Sequence, residues 1–260
     1  MEKNWGNYIG ETFEKIAMVI VILIFWELAP RIGLVSQDIL PSFSVVLVKF
    51  GQMLLSGEMF KNLFISLERA FGGFSLSVAV GIIMGFLLGW SEKVEKYIDP
   101  LMQLARNTAA LALYPLFILL FGLGETSKVA IIFWGAVWPI LLNTIEGVRG
   151  VEPLFVKTAY SMGASKRILF TRVILPATFP TIFTGIRLSA SRSVIILVAA
   201  EMMGSSSGLG HLVFFSEANL RIAEMYCGIL MLIILGVAIN YILVTLEKRI
   251  TRWKEEIVEI

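Results

Sequence analysis

The chain has 260 residues, of which 57% are hydrophobic and 16% are charged. A soluble domain of this size carries about a quarter charged residues, so the composition and its long apolar runs predict an all-α integral membrane protein. The net charge of +2 is too small to indicate a nucleic-acid partner. The chain has one cysteine, Cys227, so an intrachain disulfide is excluded. It has one histidine, His211, which argues against a metal site built from histidines.

Six apolar segments each come near the ~20 residues that a helix needs to cross a bilayer. We expect six transmembrane helices in one domain, residues 1–260, at Ile16–Leu34, Ala70–Trp90, Leu101–Gly122, Val129–Ile145, Phe179–Ala200 and Met225–Leu246. No small-x-small cleavage site follows the first segment, so we read it as a retained span. Lys and Arg are in excess at both ends of the chain and after the second and fourth segments, which places both termini in the cytoplasm.

The second span and the stretch before it carry packing signals. Small residues recur at every fourth position of the span, namely Gly73, Ser77, Gly81, Gly85 and Gly89. Such a stripe lets another helix approach closely and favours packing within the chain over a dimer seam. The preceding stretch, Ser44–Leu55, is too short to cross, so we expect an interfacial or surface-packed helix.

The connection between the fourth and fifth spans, residues 150–178, is basic and is predicted to be cytoplasmic. Pro153 suits the first turn of a helix, and Gly163 suits its end. Ser165 can cap a second helix, which we expect Pro176 to stop. The apolar side chains of this helix–turn–helix need a groove in another protein or the membrane surface; they are Leu154, Phe155, Ala159, Met162, Ile168, Leu169 and Val173.

The fifth span contains two arginines, Arg187 and Arg192, which point about 140° apart around a helix. Arg187 lies near the cytoplasmic end and can extend toward lipid phosphate or an acidic partner. Arg192 lies deeper, where an arginine is costly unless it meets a partner or a wet cavity. Two interpretations remain open: contact with Glu201, Glu27 or a backbone carbonyl, or a place on a transport pathway. The pathway candidates are Arg192, Ser189, Ser193 and Glu201.

The connection after the fifth span contains GSSSG, Gly204–Gly208, which matches the G-x-S-x-G pattern around a nucleophilic serine, here Ser206. An intramembrane serine protease would need a base from another element, and His211 lies only five residues downstream. A Ser/Gly-rich turn at the end of a span is the commoner origin of such a pattern.

A secondary transporter is a further alternative. It would couple to ions through intramembrane carboxylates and an inverted repeat. The expected spans hold almost no acidic residue beyond Glu27 and Glu201, and no repeat is visible. The chain also has no phosphate-binding loop of the form G-x-x-x-x-G-K-[ST], so we expect it not to hydrolyse ATP.

Residues 150–178 resemble the signature loop of ABC importer permeases, described as E-A-A, three residues, G, nine residues and I-x-L-P. Thr158-Ala159 falls on the two alanines and Gly163 on the glycine. Ile174 lies eleven rather than ten residues past the glycine, with Leu175-Pro176 completing the motif. Lys157 replaces the usual glutamate.

Other stretches resemble the nitrate/sulfonate/taurine branch of these permeases. They are "LPSFSVV" (40–46), "SLERAFGGF" (66–74), "FGLGETSK" (121–128), "NTIEGVR" (143–149), "GIRLS" (185–189) and "AAEMMGSSSGLG" (199–210). Where that branch has a proline-rich turn before Tyr114, this chain has Arg106-Asn107-Thr108-Ala109-Ala110. We therefore expect a straighter third span.

The resemblance implies a permease for a small solute, an anion such as a sulfonate, taurine or nitrate or, within the same branch, a vitamin precursor. It implies that residues 150–178 form a coupling helix on a separate cytosolic ATPase, which binds ATP and Mg; no cofactor is expected in this chain. The coupling residues would be Lys157, Thr158, Ala159, Met162, Gly163, Ala164, Ser165, Leu175 and Pro176. A periplasmic or lipid-anchored binding protein, a second permease copy and the prokaryotic inner membrane are also implied. Without the resemblance, the segment could rest on anionic lipid, at about 1 kcal/mol per basic residue.

Overall fold

A computed structural model describes residues 5–250 of the protein. Within this range, residues 5–16, 92 and 250 are described by their backbone alone. This range is helical and contains no β-strand, as predicted. The helices are α1 (Trp5–Arg31), α2 (Phe43–Leu55), α3 (Glu58–Trp90), α4 (Glu92–Asn107), α5 (Tyr114–Phe121), α6 (Glu125–Arg149), α7 (Pro153–Ser161), α8 (Lys166–Leu169), α9 (Leu175–Gly204), α10 (Leu209–Ala218) and α11 (Ile222–Ile250). A 3₁₀ helix, Ala110–Leu113, precedes α5, and a π-helical turn, Phe170–Ile174, joins α8 to α9.

Four of the described helical units are long and apolar enough to cross a bilayer: α3, α6, the continuous unit Lys166–Gly204, and α11. They contain the predicted second, fourth, fifth and sixth spans. The predicted first span falls in α1, where residues 5–16 are described by backbone alone. Its crossing therefore stays a prediction, as does the cytoplasmic placement of the termini.

The predicted third span is broken, so the expectation of a straighter helix was wrong. Its two halves, Lys93–Asn107 and Ala110–Phe121, meet at 87°. Thr108 and Ala109 between them are extended, with ψ of 125° and 115°. A continuous helix would place Pro115 in its interior, where proline removes a backbone hydrogen bond and clashes with the preceding turn. The break moves Pro115 into the first turn of α5, where it is tolerated.

Helix α6 lies at the centre of the fold, between α3 and α9. The small-residue stripe of α3 faces α6 and not open space. A Cβ at Gly73, Gly81, Gly85 or Gly89 would lie 2.4–2.9 Å from side-chain carbons of α6. The predicted packing of the stripe within the chain is therefore confirmed.

Helix α2 packs on α11 and α3 and buries Val46 and Met53, which confirms a surface-packed helix. Glu27 of α1 holds its first turn. The carboxylate accepts hydrogen bonds from the backbone N–H and the hydroxyl of Ser44, each at 2.9 Å, and it also pairs with Arg31. A carboxylate at a helix N-terminus is favourable. Glu27 is therefore engaged at α2 and pairs with no residue of α9.

The contact between α3 and α6 predicts the effect of one added methyl group. Gly85→Ala places a Cβ 2.4 Å from the Thr144 Cβ, and overpacking of this kind costs about 1–3 kcal/mol. We expect a lower apparent melting temperature in detergent. Gly236→Ala is the matched control, because that helical glycine has no atom within 4 Å of the added carbon. Equal melting temperatures for the two variants would contradict the close approach.

Candidate functional site

The turn between α7 and α8 is built by backbone hydrogen bonds. The Ala164 N–H donates to the Ala159 carbonyl at 3.0 Å, and the Gly163 N–H donates to the Tyr160 carbonyl at 2.9 Å. This pair of bonds ends a helix when the residue after its cap is left-handed. Gly163 is left-handed, with φ of +78°. The predicted glycine turn is confirmed.

Helix α8 begins at the predicted cap. The Ser165 hydroxyl accepts a hydrogen bond from the Ile168 N–H at 3.4 Å. Pro176 does not stop the helix, so that part of the prediction was wrong. Because a π-helical turn precedes it, with the Leu175 N–H bonded to the Phe170 carbonyl, Pro176 lies in the first turn of α9. The π-helical turn is wider than an α-helical turn and accommodates Pro176, which has no backbone N–H to donate.

One side of the 150–178 segment packs against the protein itself. Leu169 and Ile174 are buried with Val148 and Val151 at the end of α6, and Ala159 and Val173 pack against the same cluster. The Phe170 ring lies 5.1 Å from Phe86 and 6.1 Å from Trp90 at the end of α3, centroid to centroid. The segment is therefore attached to α3, to α6 and, through the π-helical turn, to α9.

The other side of the segment is uncovered in the single chain. Leu154, Phe155 and Met162 are exposed, Met162 by 82%. Of the predicted coupling residues, Ala159, Ala164 and Leu175 are half-buried, and the exposed ones are Lys157, Thr158, Met162, Gly163, Ser165 and Pro176. An apolar surface rimmed by basic residues marks a place where another molecule binds.

Two of the predicted pathway residues lie inside the helix packing. Ser189 is buried and its hydroxyl donates to the Ala136 carbonyl of α6. Ser193 is buried and donates to the Ala190 carbonyl at 2.7 Å. Arg187 pairs with Glu247 of α11 at 2.9 Å. In this conformation the hydroxyls of Ser189 and Ser193 are hydrogen-bonded to backbone carbonyls and do not face a cavity.

Arg192 has a different environment. It is exposed, it forms no hydrogen bond or ion pair with any residue that the structure describes, and it lines a cavity at the break of the third span. The alternative of an ion pair with Glu201 is excluded here, because that carboxylate binds another arginine.

That arginine is Arg69 of α3, which sequence reasoning missed. Arg69 Nη1 donates to Glu201 Oε1 at 2.8 Å and to the Ser207 carbonyl at 2.7 Å, while Nε and Nη2 together donate to the carboxylate of Glu125. The side chain of Arg69 is 5% exposed and that of Glu201 is fully buried. Two carboxylates therefore share one buried guanidinium, and Lys128 adds a second positive charge at 3.0 Å from Glu125.

One side-chain hydroxyl and two backbone N–H groups complete this charge network. Glu201 also accepts from the Ser66 hydroxyl and from the Gly210 N–H, each at 2.9 Å. The Leu209 N–H donates to Ser66 at 2.8 Å. The network joins α3, the start of α6, the end of α9 and the start of α10. The sequence carried a signal for it, since three family-like stretches, 66–74, 121–128 and 199–210, supply its residues.

The GSSSG turn does not form a catalytic pair. Ser206 and His211 line one open cavity of about 510 Å³, but no hydrogen bond joins them, and the His211 ring stacks on Phe215 at 5.5 Å. A serine nucleophile needs a base within hydrogen-bond reach. Across the described residues, no group of three or more His, Cys, Asp or Glu side chains could hold a metal ion.

Comparisons with known proteins add independent findings. Residues 77–255 match the family described as binding-protein-dependent transport system inner membrane component. SsuC of Bacillus subtilis (strain 168), named an aliphatic sulfonates transport permease protein, is 36% identical over 90% of this chain and 85% of its own. TauC of Escherichia coli (strain K12), named a taurine transport system permease protein, is 31% identical over 94% and 90%. The solved MetNI methionine ABC transporter shares the fold, with a TM-score of 0.64 at 16% identity over 71% of this chain and 92% of that one.

Proposed function

Because the chain belongs to the family of binding-protein-dependent transport system inner membrane components, we propose that it is the permease subunit of an ATP-driven importer for a small organic anion of the sulfonate class. The family match confirms the resemblance to ABC importer permeases, and the sulfonate and taurine relatives confirm the branch. The protein works in the prokaryotic cytoplasmic membrane, as a homodimer.

The two-sided 150–178 segment carries this proposal. Its outer side, with Leu154, Phe155 and Met162, suits the cleft of a cytosolic ATPase, and its basic residues suit an acidic rim. Its inner side is packed on α3 and α6 and continues into α9. A segment held in this way moves with the helices to which it is attached, because packed helices do not deform continuously.

The ATPase supplies the energy and binds ATP and Mg, while this chain supplies the moving helices. Closure of the ATPase pair would displace the segment, and α9 would transmit the displacement over its 30 residues to Glu201 at the far end. There the charge network ties α9 to α3, α6 and α10. An external binding protein delivers the anion to that side.

The test is reconstitution. The purified chain alone is expected to hydrolyse no ATP, since it has no phosphate-binding loop. Together with its ATPase and binding protein in proteoliposomes, it is expected to take up radiolabelled taurine or ethanesulfonate only when ATP is present on the ATPase side. ATP hydrolysis by the lone chain would contradict the proposal. A peptide-cleaving activity of the lone chain that Ser206→Ala abolished would favour the protease instead.

A further inference from the structure

A cavity of about 230 Å³ lies where the third span is broken. Its walls come from the break itself, with Arg106 and Thr108, from Trp134 and Trp138 of α6, and from Arg192 of α9. Pockets for drug-sized ligands begin at about 300 Å³, so this one suits a smaller solute. Three separate elements meet here, and none of the lining residues belongs to the coupling segment or to the charge network.

The cavity is positively charged. Two of its lining residues are arginines, and no Asp or Glu is among the described residues that line it. Arg192 lies about midway along α9, where a charge facing lipid is expensive and is kept only beside a partner or a wet cavity. Two carboxylates were considered as partners of Arg192, and both are engaged elsewhere. Glu201 binds Arg69, and Glu27 binds Ser44 and Arg31. The counter-charge of Arg192 is therefore supplied by something other than these two residues.

The backbone at the cavity is also typical of a binding site. Thr108 and Ala109 are extended in the middle of a predicted span. Non-helical backbone at membrane depth is tolerated where it is buried in protein or lines a water-filled cavity. Broken helices recur at substrate sites in other transporters, because they free backbone groups to contact the solute.

Two indole donors on the same walls have no acceptor. The Nε1 atoms of Trp134 and Trp138 are buried and donate to no residue that the structure describes. A buried N–H without an acceptor costs about 1–3 kcal/mol. An anion with several oxygen acceptors is the kind of ligand that can satisfy indole donors as well as guanidinium groups.

We infer that this cavity holds the transported anion within the membrane, with Arg192 and Arg106 as its selecting charges. The inference rests on the proposed importer function and specifies its substrate class: a small anion with a planar or tetrahedral set of oxygens, such as a sulfonate, because guanidinium groups bind such oxygens bidentately.

The test uses the complete importer in proteoliposomes and radiolabelled ethanesulfonate with excess binding protein. Arg192→Gln and Arg106→Gln are each expected to lower uptake at least about tenfold, since the loss of a charge-assisted contact amounts to a factor of this size or more. ATP hydrolysis stimulated by the loaded binding protein is expected to persist, which shows that the variant is folded and assembled with its ATPase and binding protein. Arg192→Lys keeps the charge without the planar fork and should recover only part of the lost uptake, because lysine binds the oxygens as a point charge rather than bidentately.

Arg187→Gln is the matched control, because Arg187 lies on the same helix, pairs with Glu247 and does not line the cavity. Its uptake should stay near that of the unmodified importer. If the unmodified importer takes up ethanesulfonate and Arg192→Gln does so equally well, the cavity inference is overturned and the proposed function stands. If the unmodified importer carries only a neutral or cationic solute, the proposed substrate class and the inference fall together. Loss of the permease dimer in Arg192→Gln would also overturn the cavity inference, and would favour an ion pair between Arg192 and the second copy.

Discussion

Replacing Arg69 by alanine is expected to lower the free energy of unfolding by about 3–5 kcal/mol, because it leaves a buried carboxylate without its counter-charge. Glu201 is fully buried, and Arg69 is the cation that contacts it, at 2.8 Å. The Ser66 hydroxyl and the Gly210 N–H still donate to Glu201 in the variant, but neutral donors do not replace a charge. The measurement is the unfolding of the detergent-solubilised chain.

A second variant separates the cost of an unpaired charge from the loss of packing. Arg69→Met combined with Glu201→Gln removes both charges and keeps most of the volume, and such double replacements of buried pairs are often close to neutral. We expect the double variant to be more stable than Arg69→Met alone, which has the same side chain at position 69 but leaves the Glu201 carboxylate unpaired. A difference smaller than about 0.5 kcal/mol would show that the two residues are not coupled.

Arg221→Ala is the control for removal of an arginine in general. Arg221 is 58% exposed and its distance to Glu224 is 3.6 Å, and exposed pairs contribute about 0–1 kcal/mol. Its effect on unfolding should be small. An effect as large as that of Arg69→Ala would contradict the assignment of a special role to the buried network.

Gly163→Val is expected to uncouple transport from ATP hydrolysis while the protein still reaches the membrane. Gly163 has φ of +78° and nothing within 4 Å of an added Cβ, so the penalty is backbone strain and not a clash. Forcing a residue into this region costs about 1–3 kcal/mol, and a β-branched side chain is among the worst placed there. The turn would rearrange, and the outer side of the segment would no longer fit its partner.

The expected result in the reconstituted importer is a loss of uptake of about tenfold or more. Gly163→Asn should retain most of the activity, because asparagine adopts left-handed backbone more readily than valine. Gly57→Val is the matched control: Gly57 has φ of +79° and equally open surroundings, but it precedes α3, outside the segment. If Gly57→Val and Gly163→Val reduce uptake equally, the effect is strain in general and the coupling role of the turn is wrong.

Local features were predictable from the chain alone. The glycine turn at Gly163 and the cap at Ser165 depend on hydrogen bonds between residues three to five positions apart, so neighbouring sequence contains the necessary information. The stripe of α3 was also visible, since the helical period places every fourth residue on one side. The helical class and four of the spans follow from hydrophobicity, because the bilayer requires apolar helices of a given length.

Tertiary structure decided which residues meet. Glu201 was a candidate partner of Arg192, nine residues away on the same helix, yet it binds Arg69, which lies 132 residues from it in the sequence. The break of the third span and the passage of the helix through Pro176 were decided in the same way. A buried charge binds the opposite charge that helix packing brings within 3 Å, and a helix bends where its neighbours can satisfy the freed backbone groups. Hydrophobic pattern and local hydrogen bonds do not contain this information, because it depends on the faces that α3, α6 and α9 present to one another.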